Sequence, residues 1–163
     1  NTRCMQIAKR NGLKVKALMS IGHPGESRDT IEETRKWLIE NQPEDFDVSL
    51  ITCYPGTPYY DNAVLYSDGI WLYTHNGDRL YQIEVDFHET AEYYKGDPNG
   101  GYKAFVFTDH LTSKELVEKR NNLETSVRKI LGIPFNPSVP AMQYEHSMGM
   151  GMGLPGNVLI KSR

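Results

Sequence analysis

Two stretches that read as buried strands, Leu13–Ile21 and Phe46–Thr52, are separated by one helical pattern, and each runs directly into a short loop stiffened by glycine and proline. The first loop is Gly22-His23-Pro24-Gly25-Glu26-Ser27 and the second is Tyr54-Pro55-Gly56-Thr57-Pro58. A strand, a helix and a second strand joined this tightly imply parallel neighbours linked by a right-handed crossover. Both loops then lie at the carboxyl end of the strands, where α/β enzymes gather their sites.

Local signals bound the elements. Residues 2–11 carry Ile7 and Ala8 among polar positions and are followed by Gly12, the tail of a helix with a glycine cap. Ser27 is a suitable N-cap, Thr30 with Glu33 matches a capping box, and Ile31, Thr34, Trp37 and Leu38 recur at helical spacing to about Asn41, with Pro43 just beyond. After Pro58 the pattern changes. Ile70–His75 and Asp78–Val85 flank Asn76-Gly77, a type I′ hairpin signal. Pairing across that turn puts Ile70, Leu72, Tyr81 and Ile83 on one face and Trp71, Tyr73 and Leu80 on the other. Asp97-Pro98-Asn99-Gly100-Gly101 reads as a loop and Tyr102–Thr108 as a strand. Thr112 with Glu115 opens a helix over 113–131 whose stripe is Leu116, Leu123, Val127, Ile130 and Leu131, closed by Gly132 and Pro134. From Phe135 the sequence is rich in Pro, Met and Gly, which predicts an extended or poorly ordered tail over 135–163.

Composition removes several classes. With 39% hydrophobic and 24% charged residues a packed core is expected, and the formal charge of −3 gives no basic footprint for nucleic acid. No apolar run is long enough to span a membrane. Two cysteines, Cys4 and Cys53, make neither a disulfide framework nor a clustered metal site and suit a reduced cytoplasmic setting. The start at Asn1-Thr2-Arg3-Cys4, already helical and without Met, suggests a piece of a longer polypeptide.

The chemistry-bearing positions are few. Glycines in Gly22–Ser27 let backbone approach a ligand, and Ser27 opens a helix whose free N–H groups favour an anion; the same residues equally serve a tight βα turn. Tyr54–Pro58 either lines a site or redirects the chain, and Cys53 at that strand end is either a small buried hydrophobe or a thiol in a site. The five histidines show no metal-ligand spacing; His88 with Glu89 and Glu92 fits a solvated helix face, and the Met-Gly tail fits flexible chain better than a soft-metal site. No GxSxG, P-loop or GxGxxG occurs, so neither catalytic nor metal residues are assigned.

The segment Asn1-Thr2 through Ala8-Lys9-Arg10-Asn11-Gly12-Leu13-Lys14-Val15, with Met19-Ser20-Ile21-Gly22-His23-Pro24-Gly25-Glu26-Ser27, Thr30, Glu33-Thr34, Trp37 and Tyr54-Pro55-Gly56-Thr57-Pro58-Tyr59-Tyr60, resembles the radical SAM superfamily. The likeness is to the Fe–S oxidoreductases that often carry a cobalamin-binding domain, among them the anaerobic Mg-protoporphyrin ester cyclases. It covers roughly residues 1–60. It implies a fold of class α/β, with residues 1–60 forming the C-terminal half of a partial (β/α) barrel. An α+β region over 61–134 follows, with the hairpin 70–85, the strand 102–108 and the helix 113–131, and then the tail.

The resemblance further implies S-adenosylmethionine and a 4Fe–4S cluster in the intact parent, with cobalamin as an option there. Ser20, Ile21 and Gly22 would sit near SAM, Gly25 and Glu26 would shape the loop, and Cys53 and Tyr54 would stand at the last barrel strand. His23 occupies a position where the family usually has an apolar residue. The family's CxxxCxxC loop is missing, and two separated cysteines cannot replace three clustered thiolates. The chain is therefore expected to be inactive alone, its partner the N-terminal remainder of the parent, its small-molecule substrate undefined. Bare strand edges are expected to be covered by the hairpin or tail, or by dimerisation. The competing assignment is a non-catalytic α/β binding or assembly domain docking through Trp71, Tyr73 and Leu80.

Overall fold

The computed structural model describes residues 1–85 and 103–134. Along them run α1 (Thr2–Arg10), β1 (Lys16–Ile21), α2 (Arg28–Asn41), β2 (Asp45–Leu50), α3 (Pro58–Asp61), β3 (Val64–Ser67), β4 (Ile70–His75), β5 (Asp78–Ile83), β6 (Val106–Thr108) and α4 (Ser113–Leu131). The class is α/β, with a two-stranded parallel sheet β1-β2 and a four-stranded antiparallel sheet β3-β4-β5-β6. No helix among the described residues is long and apolar enough to cross a membrane. The expected tail, the loop 97–101, Tyr102 and the group His88, Glu89, Glu92 lie outside the described residues; of the strand expected over 102–108, Val106–Thr108 form β6 and residues 103–105 are not in a strand.

β1 and β2 pair in parallel from Lys16↔Asp45 to Ile21↔Leu50, with α2 as the crossover. α2 starts where Ser27 accepts the Thr30 N–H at 3.3 Å while the Thr30 hydroxyl accepts the Ser27 N–H at 2.9 Å, so the box is Ser27/Thr30 and not Thr30/Glu33. β1 begins three residues later than its apolar pattern, because the Leu13 N–H closes the end of α1 on Ala8 O at 3.0 Å.

Alternation along both strands turns Ala17, Ile21, Phe46, Val48 and Leu50 into the core, against Ile31 and Leu38 of α2 and Leu116, Leu123 and Val127 of α4. Phe46, fully buried, contributes about 1.5–3 kcal/mol by leaving water. The other face carries Lys16, Leu18 and Ser20 beside Asp45, Asp47 and Ser49, and Leu18 is 73% exposed in mid-strand.

Among the described residues, the outer edge of β2 is closed by side chains of α4. Arg120 donates through Nε to Val48 O at 2.7 Å, and Arg128 donates to Phe46 O at 2.6 Å with its guanidinium 4.9 Å from the Phe46 ring centre. Two side chains thereby take the place of a third strand's amides. Arg128 also pairs with Asp45 at 3.1 Å, and Lys16 with Asp47 at 2.6 Å.

The hairpin register is as expected, Ile70↔Ile83 to His75↔Asp78, with Asn76 and Gly77 both at positive φ. Of the three residues named for a docking face, Leu80 is fully buried and Tyr73 packs on the same core, whereas Trp71 is 38% exposed. β3 and α3 are additions; Gly69 at φ +66 makes the turn between Val64–Ser67 and β4.

The long helix follows its signals at both ends, although Ile130 is 55% exposed and leaves the stripe. Thr112 donates to Glu115 from both its N–H and its hydroxyl, and with Arg28 these bonds hold the Glu115 carboxyl down at about 2. A depressed folded-state value stabilises above the ordinary carboxylate range and is lost on acidification. Stability should therefore fall as pH drops from about 4.5 towards 2. Chemical denaturation across that window should show a shallower fall in Glu115→Gln, and identical slopes would remove the cap from the acid response.

Candidate functional site

β1 ends in Ser20 and Ile21 and hands the chain to the first loop. Ile21 is fully buried, so only its backbone is offered to anything outside, whereas Ser20 is exposed. Gly22 turns at φ +95, and a β-carbon there would lie 3.2 Å from Val106 Cγ2 and 3.4 Å from Ile51 Cγ1. Gly25, at φ +78, has the Asp78 carboxyl carbon 2.7 Å from where its β-carbon would stand, so the β4–β5 hairpin tip sits on this loop. Glu26 is 7% exposed; one carboxylate oxygen accepts the Gly22 N–H at 3.0 Å and the other the Thr30 hydroxyl. Its carbonyl accepts the Thr108 hydroxyl at 2.7 Å. The Glu26 side chain thus braces the loop from inside.

The second loop leaves β2 beside the first, joined by Ile51 N–H to Ile21 O at 3.0 Å. The Thr57 hydroxyl donates to Tyr54 O at 2.7 Å and Gly56 N–H donates to Asp61 at 3.0 Å, folding Tyr54–Pro58 onto α3, with Pro58 at its first turn. Tyr54 is exposed. Cys53 is buried, and burial pushes its thiol up to about 11, so it is protonated and a poor nucleophile at neutral pH. It borders a cleft of about 130 Å³ with Tyr60, Trp71, Gln82 and Phe105. Of the residues assigned to a cofactor from sequence, Cys53 reaches this cleft; Ser20, Ile21, Gly22, Gly25, Glu26 and Tyr54 do not line it. The cleft is also smaller than the roughly 300–1,000 Å³ of ordinary small-molecule pockets.

The two loops meet through His23. Its Nε2 lies 2.8 Å from Ser20 Oγ and its Nδ1 lies 3.3 Å from the Tyr59 hydroxyl on α3. Tyr59 leans on Tyr73 of β4 with ring centres 4.9 Å apart, and Tyr73 stacks with His75 at 6.5 Å and 6°. Burial, Tyr73 and Cys53 push the Tyr59 phenol above its ordinary value. A serine, two histidines and two tyrosines thus form one row across three segments. The sequence placed Tyr59 in the family motif and Tyr73 on a docking face but gave no sign that they meet His23 and His75, because the placement of α3 and the hairpin over the loops is a tertiary event.

This row can donate, accept and relay protons. As an acyl-transfer site it falls short, because the loop amide at Gly22 is already given to Glu26 and stabilises no oxyanion. Nor does it fit an iron–sulfur cluster: Cys4 is exposed on α1, Cys53 is buried beyond β2, and no group of three or more His, Cys, Asp or Glu among the described residues could hold a metal ion. Comparison with models of known families, with curated proteins and with solved structures found no match.

Proposed function

We propose that this chain is a piece of a radical SAM Fe–S oxidoreductase or transferase, with β1 and β2 as the last two strands of its partial barrel. The observation that carries this is the in-register parallel pair whose two Gly/Pro loops emerge side by side at the carboxyl ends, in the order and spacing of the family's motifs. Parallel sheets are almost always covered on both faces. Here the described helices cover one face only, Leu18 is exposed on the other, and β2's outer edge is closed by Arg120 and Arg128. A sheet that ends at β2 and continues beyond β1 has these properties.

In this assignment a 4Fe–4S cluster held by cysteines outside the chain supplies the chemistry that cleaves SAM. The chain's own part is positional. Ser20 and Tyr54 are the assigned side chains exposed at the strand ends, and Gly22, Gly25 and Glu26 fix the loop that carries them. In the non-catalytic alternative Leu80 is buried and Trp71 is the exposed large side chain left for docking.

The test is the reading frame upstream of Asn1. A CxxxCxxC about 70–110 residues earlier, roughly three βα units of a parallel barrel, is expected. The longer protein, reconstituted anaerobically with iron and sulfide, should then show a cluster spectrum and release 5′-deoxyadenosine from SAM. An upstream sequence without the three cysteines, or a start codon at Asn1, would overturn the proposal.

A further inference from the structure

We propose that Tyr59 is a redox-active tyrosine whose phenolic proton passes to His23 as the ring loses an electron. The inference rests on the geometry of the row of rings and not on the assignment above. A phenol that keeps its proton is hard to oxidise, since the radical cation is a very strong acid; a base already hydrogen-bonded to the hydroxyl removes that barrier. His23 is such a base, with Nδ1 3.3 Å from the Tyr59 oxygen. Its other nitrogen lies 2.8 Å from Ser20 Oγ, and when Nε2–H donates there, Nδ1 presents its lone pair to the phenol.

Tyr81 supplies the internal contrast. Its hydroxyl donates to Asp109 at 3.0 Å, but the Arg79 hydrogen bond holds that carboxyl below its ordinary range, which makes it a weak proton acceptor. Imidazole is the far stronger base. Both phenols have a tyrosine ring beside them, Tyr73 at 4.9 Å from Tyr59 and Tyr66 at 5.2 Å from Tyr81, so the contrast lies in the proton acceptor.

The step balances with an outer-sphere one-electron oxidant. The oxidant gains the electron, the Tyr59 O–H bond breaks, the proton binds His23 Nδ1, and a neutral phenoxyl radical remains. A second oxidising equivalent takes an electron and the phenolic proton from Tyr73. The two phenoxyl radicals then join by one carbon–carbon bond, and the two ring protons at that bond move to the phenolic oxygens as the rings regain aromaticity. Two electrons and two protons leave overall. Oxidising equivalents reaching this end of the sheet are thereby trapped on the tyrosine pair.

The experiment is photo-oxidation of the chain by a ruthenium polypyridyl complex with persulfate, followed by peptide mass spectrometry. A Tyr59–Tyr73 cross-link is expected, absent in Tyr59→Phe and in Tyr73→Phe. In His23→Gln, whose amide accepts a hydrogen bond but no proton, cross-linking should slow several-fold while oxidation of exposed Tyr66 is unchanged. In the wild-type chain, which needs no substitution to fold, Tyr59 oxidation should slow in deuterium oxide because proton and electron move together. Equal rates in wild type and His23→Gln, or no isotope effect at Tyr59, would overturn the proposal.

Discussion

Replacing Arg120 with leucine is expected to cost about 3–5 kcal/mol of stability, read as a lowered urea midpoint at unchanged slope. The guanidinium and its partner Glu124 are each 5% exposed as side chains, so this ion pair lies in the interior. Arg120 also donates to Val48 O on the free edge of β2 and to Asn121 at 3.0 Å. Leucine would fill most of the volume, yet it strands the Val48 carbonyl and leaves the Glu124 carboxylate to pair with Arg128 at 3.1 Å. Removing the acid as well separates charge from edge. The pair Arg120→Leu with Glu124→Leu should recover a large part of the loss, since an apolar pair of similar volume often matches a buried ion pair. A single-variant loss under about 1 kcal/mol would mean that water satisfies the edge as well as α4 does.

The edge device also marks how far the sequence could be read. The βαβ unit was legible because Ser27, Gly22 and the two apolar runs act locally, and each signal agreed with its neighbours. The hairpin was legible from Asn76-Gly77, where both residues take positive φ as the turn requires. Arg120 and Arg128 carried no such signal. On a helix their spacing suggests two exposed cations, and only the placement of α4 along β2 makes them edge caps. β3 escaped because all four of its residues are exposed, so no alternation of buried and exposed positions marks it.

At the site, the loop residues were legible as a loop, but their orientation was not. Glu26 faces inward because Gly22 N–H and Thr30 lie on its inner side, a relation set by the turn. His23 was noticed for its departure from an apolar position; its partners Ser20 and Tyr59 lie 3 and 36 residues away. The second of these distances is beyond any local pattern.

Gly22 is where the two sequence-level roles for the loop glycines can be separated. Gly22→Ala is expected to cost about 2–6 kcal/mol, the sum of two independent terms. An alanine at φ +95 adopts a strained backbone, worth about 1–3 kcal/mol. Its methyl group also points into the core, 3.2 Å from Val106 and 3.7 Å from Leu116, and overpacking there costs a further 1–3 kcal/mol or so. Gly56→Ala is the control. Its φ of +85 imposes a similar backbone strain, but nothing lies within 4 Å of the added carbon, so the strain of about 1–3 kcal/mol alone is expected. The difference between the two variants then measures the close approach of the first loop to β6 and α4. That approach is what holds Ser20 and His23 at the end of the parallel sheet, and a large difference makes Gly22 a packing requirement of the site's frame. A loss at Gly22 no greater than at Gly56 would point the other way, to a glycine kept open for a ligand.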